Sequence, residues 1–480
     1  CSFQTQEQHV HPRFSPDGST ISYFEVSAFP STTSNKMYLV PAQGGPAKAF
    51  LPEFGVLPPP ASVGPIWSPD GKFLLFPGVR GTEARTPDWW VAPLGGGDPV
   101  PTGAYASLAR FGVIRFPCQW LPEGVLLAAG TTMEGVNLYR VSITPGSRKI
   151  SGTPVRVTSG SGMQLAASAS SDGRMLFANM TWVPNFWSVP LNANQGTASG
   201  EPEAITREAL TKYWPSISRD GASLAYLAIA GIRPPRIEVR LRDVASGREA
   251  VFPTSGSTAD VYPRLSPDGR VVVYRDASGG KSISYVVSSE GGSPRSICEN
   301  CAVWNFFSDP NQVCASYTPK KLVRQNLATG EQAGLLEVSA GEIVDASPSW
   351  DDRWLAVLVG RPNGNAAIFI ASLAKTPAPE SQWVAVAEDS RYLGRPRWSP
   401  DGNLLYYLSQ RDDHVCVWAQ RLDPATKKPA GRPFAIQHLH RMARAMYGPM
   451  AYRSLEIAQG KMVVSLAETT GNIWMTKLNP

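Results

Sequence analysis

Charged residues are scarce in this 480-residue chain, at 18%, and the net charge of +6 is scattered rather than gathered into basic runs. Nucleic-acid binding therefore has little electrostatic footing, because phosphate neutralisation needs clustered Lys and Arg. Long apolar runs are lacking too, and none approaches the roughly 18 residues a membrane-spanning helix requires. Histidine occurs only five times. There is no Gly-x-Ser-x-Gly elbow, no His-Glu-x-x-His pair and none of the Gly-rich loop, His-Arg-Asp and Asp-Phe-Gly segments of a protein kinase. These absences exclude the common nucleophilic, zinc-peptidase and phosphoryl-transfer sites. No catalytic residue, metal or cofactor is expected.

What the chain has in quantity is Gly and Pro, 43 of each. They are organised around one stretch, Trp398-Ser399-Pro400-Asp401-Gly402, followed by the apolar run Leu404 to Tyr407. Pro presets φ, Asp bonds the local backbone and Gly accepts the left-handed conformation, so the stretch encodes a hairpin turn leading into a strand. The turn recurs with Gly at 18, 71 and 269, and more loosely at 124, 173 and 221. Degraded copies place Asn311 and Asp352 where Gly would stand, and Gln459-Gly460 marks a tenth unit. Asn and Asp are the residues that best replace Gly at positive φ. A period of roughly 40 to 50 residues with several strands per unit is the signature of a β-propeller or a related array. The fold class is all-β: about ten four-stranded blade units, in one large ring, which the lack of an obvious linker mid-chain favours, or in two smaller rings. Residues 2 to 6 are expected to supply a strand that closes the last blade.

Third strands are expected at, among others, Asn185-Phe186-Trp187-Ser188-Val189 in the fourth unit and Asn472-Ile473-Trp474-Met475 in the tenth. Residues 51 to 65, 102 to 118 and 438 to 454 break the rhythm and read as inserted loops. Loops on a rigid scaffold are where binding concentrates. The candidate binding residues are therefore His438, His440, Arg441, Arg444 and Tyr447 in the longest insertion, and Phe54 in the Pro-rich one.

Of the six Cys, Cys298, Cys301 and Cys314 are disulfide candidates in an oxidising compartment, and a zinc site there lacks a fourth ligand. Cys118 and Cys416 read as small core residues. The pairs His9/His11 and His438/His440 could each clamp a metal on one strand face, but ordinary surface roles account for them. The repeated turn aspartates, from Asp17 to Asp401, cap turns rather than bind calcium. Cys1 has two readings, an arbitrary fragment boundary or the lipid-modified first residue of a mature lipoprotein.

The Ser-Pro-Asp-Gly repeats with their following strands resemble the TolB-type, WD-like propeller repeats of bacterial envelope proteins. The segments Arg421-Leu422-Asp423-Pro424, His438-Leu439-His440, Thr470-Gly471-Asn472-Ile473-Trp474 and Ile297-Cys298-Glu299-Asn300-Cys301 resemble the propeller region that some bacteria join, across a membrane span, to a serine/threonine kinase. The resemblance implies binding or scaffolding in the periplasm or cell envelope, with a protein, peptide or glycan partner or a membrane complex, no nucleic acid and no catalytic residues. Membrane attachment is expected only through a lipid on Cys1. A ligand-sensing region of a transmembrane kinase is the alternative within binding. A channel-centred hydrolase or lyase is the alternative of another class.

Overall fold

A computed structural model describes the chain except for residues 1–6, 28–35, 57–63, 82–86, 112–113, 132–134, 161, 209, 231–235, 255–260, 279–280, 362–363, 375–376, 390, 442–443, 447–452 and 479–480. The protein is almost wholly antiparallel sheet, and no described helix is long and apolar enough to cross a membrane. The chain divides into two compact units, residues 1–182 with 469–480 and residues 183–468. The favoured single ring is thereby corrected: the turn positions 18, 71, 124 and 173 fall in the first unit, and 221, 269, 311, 352, 402 and 460 fall in the second.

Among the described residues the second unit contains six sheets. Five follow the chain, over Thr211–Pro253, Arg264–Glu299, Ala302–Glu337, Glu342–Asp389 and Leu393–Gln437, each beginning with its innermost strand. The sixth pairs Leu455–Ala458 with residues 461–468, and the latter with residues 183–192. Each innermost strand lies beside the next, and Leu455–Ala458 lies beside both Leu393–Trp398 and Thr211–Ile217, which closes the circle. This unit is a six-bladed propeller. Its core lies between neighbouring sheets, as where Trp187, Val189 and Leu191 pack against Tyr406, Val417, Met462 and Val464.

The first unit holds four sheets, over Glu7–Phe50, Phe54–Pro101, Ile114–Arg156 and Met163–Met180, the last extended by residues 471–477. Their innermost strands also follow one another as neighbours.

Residues 2 to 6 lie outside the described residues, and the second unit is closed by 455–468 pairing with 183–192. The fourth and tenth repeats thus exchange third strands: Leu191 N–H donates to Gly460 O at 3.0 Å, while Leu478 N–H donates to Gly173 O at 2.8 Å.

The turns explain why the repeat is so regular. Ser399 Oγ donates to Asp401 Oδ1 (2.6 Å) and accepts from Leu404 N–H (2.9 Å), and Asp401 Oδ1 accepts from Asn403 N–H (3.0 Å). The same three bonds recur at Ser68/Asp70, Ser218/Asp220, Ser266/Asp268 and Ser349/Asp351. The aspartates are thereby occupied in turns. Asp352 takes φ 58°, as a Gly substitute should, but Asn311 is not left-handed. Phe307 N–H bonds Gln312 O, so Pro310 occupies the Gly position and fixes φ negative, with Asn311 one place later.

Candidate functional site

In the second unit the innermost strands of five sheets converge on a cavity of about 570 Å³. Its wall carries the aromatic side chains Trp214, Tyr262, Trp304 and Tyr392 and the charged groups Arg264, Arg275, Arg395, Glu342 and Asp345.

The local sequence explains how these side chains reach the centre. Trp214, Tyr262, Asp345 and Arg395 each stand four residues before the turn serine of their sheet, at Ser218, Ser266, Ser349 and Ser399. In three of these strands the pairing slips at this point, between Tyr213 and Ser216, between Ile343 and Asp345 and between Gly394 and Arg397. Trp214 (φ 49°) and Arg395 (φ 54°) take left-handed backbone at the slip, just before Pro215 and Pro396. A bulge of this kind re-aims one side chain without ending the strand.

A buried ion network underlies the wall. Arg397 Nη1 lies 3.2 Å from Asp345 and Nη2 lies 2.8 Å from Glu456, with side-chain exposures of 5%, 2% and 12% respectively. Arg395 Nη1 lies 3.6 Å from the same Asp345 oxygen, and its Nε donates to Arg453 O at 3.1 Å. Arg264 donates to the carbonyls of Trp304 (2.5 Å) and Pro263 (3.1 Å). Burial alone would raise the Asp345 carboxyl, but the facing Arg397, Arg395 and Arg264 outweigh it and hold it below the usual range. Burial brings Arg264 down to about 10, with Arg397 and Arg395 adding to the fall and Asp345 and Glu456 opposing it. Asp345 Oδ1 is buried with no hydrogen-bond partner among protein atoms. Such an acceptor needs a donor from whatever fills the cavity.

Aromatic faces complete the lining. Trp214 and Tyr262 lie 4.2 Å apart between ring centroids, and Arg275 sits 5.6 Å over Tyr262. Arg453 covers Tyr392 at 4.5 Å. Arginines thus outnumber carboxylates around the cavity, beside closely packed, tilted rings and one unmet acceptor.

No family model matches the chain. Among curated proteins, the Agrobacterium fabrum protein named Uncharacterized protein Atu1656 is 28% identical over 169 residues, 32% of this chain. The match spans 56% of that relative's length. Similar solved structures include a provisionally named TolB from Agrobacterium tumefaciens, with 15% identity, 60% of this chain, 99% of that one and a TM-score of 0.44. TolB from Acinetobacter baumannii gives 12%, 63%, 75% and 0.41. An oligogalacturonate lyase from Vibrio parahaemolyticus gives 12%, 88%, 98% and 0.36.

The sequence-selected residues lie elsewhere. Phe54 is only 2% exposed and packs edge-on against Phe76 and Trp90, in a short strand paired with residues 78–80. It is a core residue of the first unit and cannot meet a ligand. His438 is exposed and lies 3.2 Å from Asp412. His440, Arg441 and Arg444 fall on two short paired strands, and Tyr447 and Cys1 lie outside the described residues. Cys298 and Cys301 are joined in a disulfide. Cys314 is a buried free thiol within an apolar cluster, which corrects its candidacy for a disulfide. The cavity residues Trp214, Tyr262, Asp345 and Arg395 were missed, although their constant offset from the turn serine was in the sequence.

Proposed function

We propose that the protein is a noncatalytic, extracytoplasmic scaffold whose six-bladed unit takes an extended acidic peptide segment of a partner protein into its central cavity. The observation that carries this reading is the combination of Arg395, Arg275 and Arg264 with the unmet Asp345 Oδ1 on one wall. A peptide supplies carboxylates for the first group and backbone N–H donors for the second, while Trp214 and Tyr262 offer flat surfaces for its side chains. Absence of catalysis is supported by the commitment of the polar groups: Asp345 is ionised and paired, Arg397 is shared between two carboxylates, and no histidine lines the cavity. The Cys298–Cys301 disulfide supports an oxidising compartment.

The test is a titration of the full chain with acidic and charge-neutral versions of an extended, proline-containing peptide, read by tryptophan fluorescence. Binding of the acidic peptide alone, weakened at least tenfold by Arg395→Glu, supports the proposal. Equal binding of both peptides, or turnover of an oligogalacturonate, would overturn it.

A further inference from the structure

A second set of side chains in the six-bladed unit comes together at the edge of the sheet Leu393–Gln437. Asp412 lies in the hairpin between its second and third strands, Cys416 begins the third strand opposite Ser409, and His438 follows the fourth strand just after Gln437, which pairs with Val417. Folding therefore gathers three donors from separate parts of one sheet. One atom from each, a carboxylate oxygen, the thiol sulfur and an imidazole nitrogen, lies within 4.8 Å of the others.

We infer that Asp412, Cys416 and His438 form a binding site for a thiophilic divalent cation, of which Zn²⁺ is the best match. The donor set decides the class: calcium and magnesium prefer all-oxygen sites, whereas one sulfur, one nitrogen and one oxygen suit zinc. Geometry agrees. Two ligands at roughly 2.0–2.1 Å from a tetrahedral ion stand about 3.3 Å apart, and His438 Nδ1 is 3.2 Å from Asp412 Oδ2. The thiol has to close by up to about 1 Å to reach its place at roughly 2.3 Å from the metal.

Burial adds a second argument. Asp412 Oδ1 is shielded from solvent with no hydrogen-bond partner, and Cys416 is fully buried beside it. A divalent ion between them compensates both. Three protein ligands leave a fourth position on the His438 side, where the imidazole is half exposed. Among neighbouring charges, Asp413 pairs with Arg391 at 2.7 Å, and Arg411 lies over Trp418, which itself meets His438 edge-on.

The experiment is a Co²⁺ titration of the full chain, previously stripped with a chelator and with its disulfide kept oxidised. One Co²⁺ per chain is expected, with a thiolate-to-cobalt charge-transfer band that Zn²⁺ displaces. Cys416→Ser should abolish the band, and His438→Gln, at an exposed position that leaves packing intact, should weaken binding at least tenfold. Cys298→Ser should leave the band unchanged. Failure to bind Co²⁺, or a band that survives in both Cys416→Ser and His438→Gln, would overturn the assignment. If Cys416→Ser does not fold, His438→Gln and Asp412→Asn decide the matter through affinity alone.

Discussion

Removing the Asp345 carboxylate tests the ion network beneath the cavity most severely. In Asp345→Ala the buried Arg397 loses its 3.2 Å partner and Arg395 its 3.6 Å partner, while Arg264 loses its largest electrostatic attraction. Breaking a buried pair leaves an uncompensated charge and costs about 3–5 kcal/mol. Arg397→Met strands Asp345 and Glu456 instead, and should cost a similar amount. The double variant leaves fewer orphaned charges, so its loss should be smaller than the sum by at least about 1.5 kcal/mol, well beyond the roughly 0.5 kcal/mol scatter of independent sites. Because the chain holds two units, a global denaturation curve is not the right assay. Native-state amide exchange on strands Glu342–Pro348 and Leu393–Trp398 reads the free energy where the network sits. Additive losses, or an Asp345→Ala cost under about 1 kcal/mol, would refute the reasoning.

Further outcomes follow from the same structure. Asp345 has a folded pKa below its unfolded value of about 3.9, so its contribution is complete above about pH 4 and is lost as pH falls through the lower folded value. Acid titration of strand exchange rates should therefore be steeper in the wild type than in Asp345→Asn. Lys212 is buried against Asn185 and its pKa falls to about 8, burial being the main cause. The unfolded chain then holds the extra proton, so stability should rise between about pH 8 and the ordinary lysine value near 10.4, and Lys212→Met should flatten that rise in a denaturation series followed by a fluorophore placed in the second unit alone. Ser399→Ala removes two bonds at a buried turn and should cost about 1–3 kcal/mol, whereas Ser170→Ala, at an exposed copy, should cost under about 1 kcal/mol, each read in a denaturation series followed by a fluorophore in its own unit.

How much of this was written in the sequence depends on how local the cause is. The Ser-Pro-Asp-Gly turn is closed by bonds spanning five residues, so composition alone exposes it, and Asp352 could be read as a Gly substitute. The one-residue offset at Asn311 was not legible, because it depends on where the Phe307–Gln312 pair closes the turn. Strand exchange was equally hidden. Asn185-Phe186-Trp187 and Asn472-Ile473-Trp474 carry the same pattern, and only the continuity of two long strands settles which hairpin each joins. Phe54 misled because a Pro-rich neighbourhood resembles a loop, while its own three-residue strand pairs into the core.

The cavity shows the opposite case. Its residues sit at a constant distance before the turn serine, a signal present in the sequence and overlooked in favour of long insertions. Asp412, Cys416 and His438 combine both situations: the first two lie four residues apart, but the hairpin register that brings His438 to them belongs to the folded sheet.

The most direct test of the central claim is the affinity of the full chain for an acidic extended peptide, measured with wild type, Arg395→Glu and Trp214→Ala. Saturable quenching that weakens at least tenfold in both variants, and that weakens with rising salt, is what the account predicts. Binding that ignores both substitutions, or no binding at millimolar peptide, would contradict it.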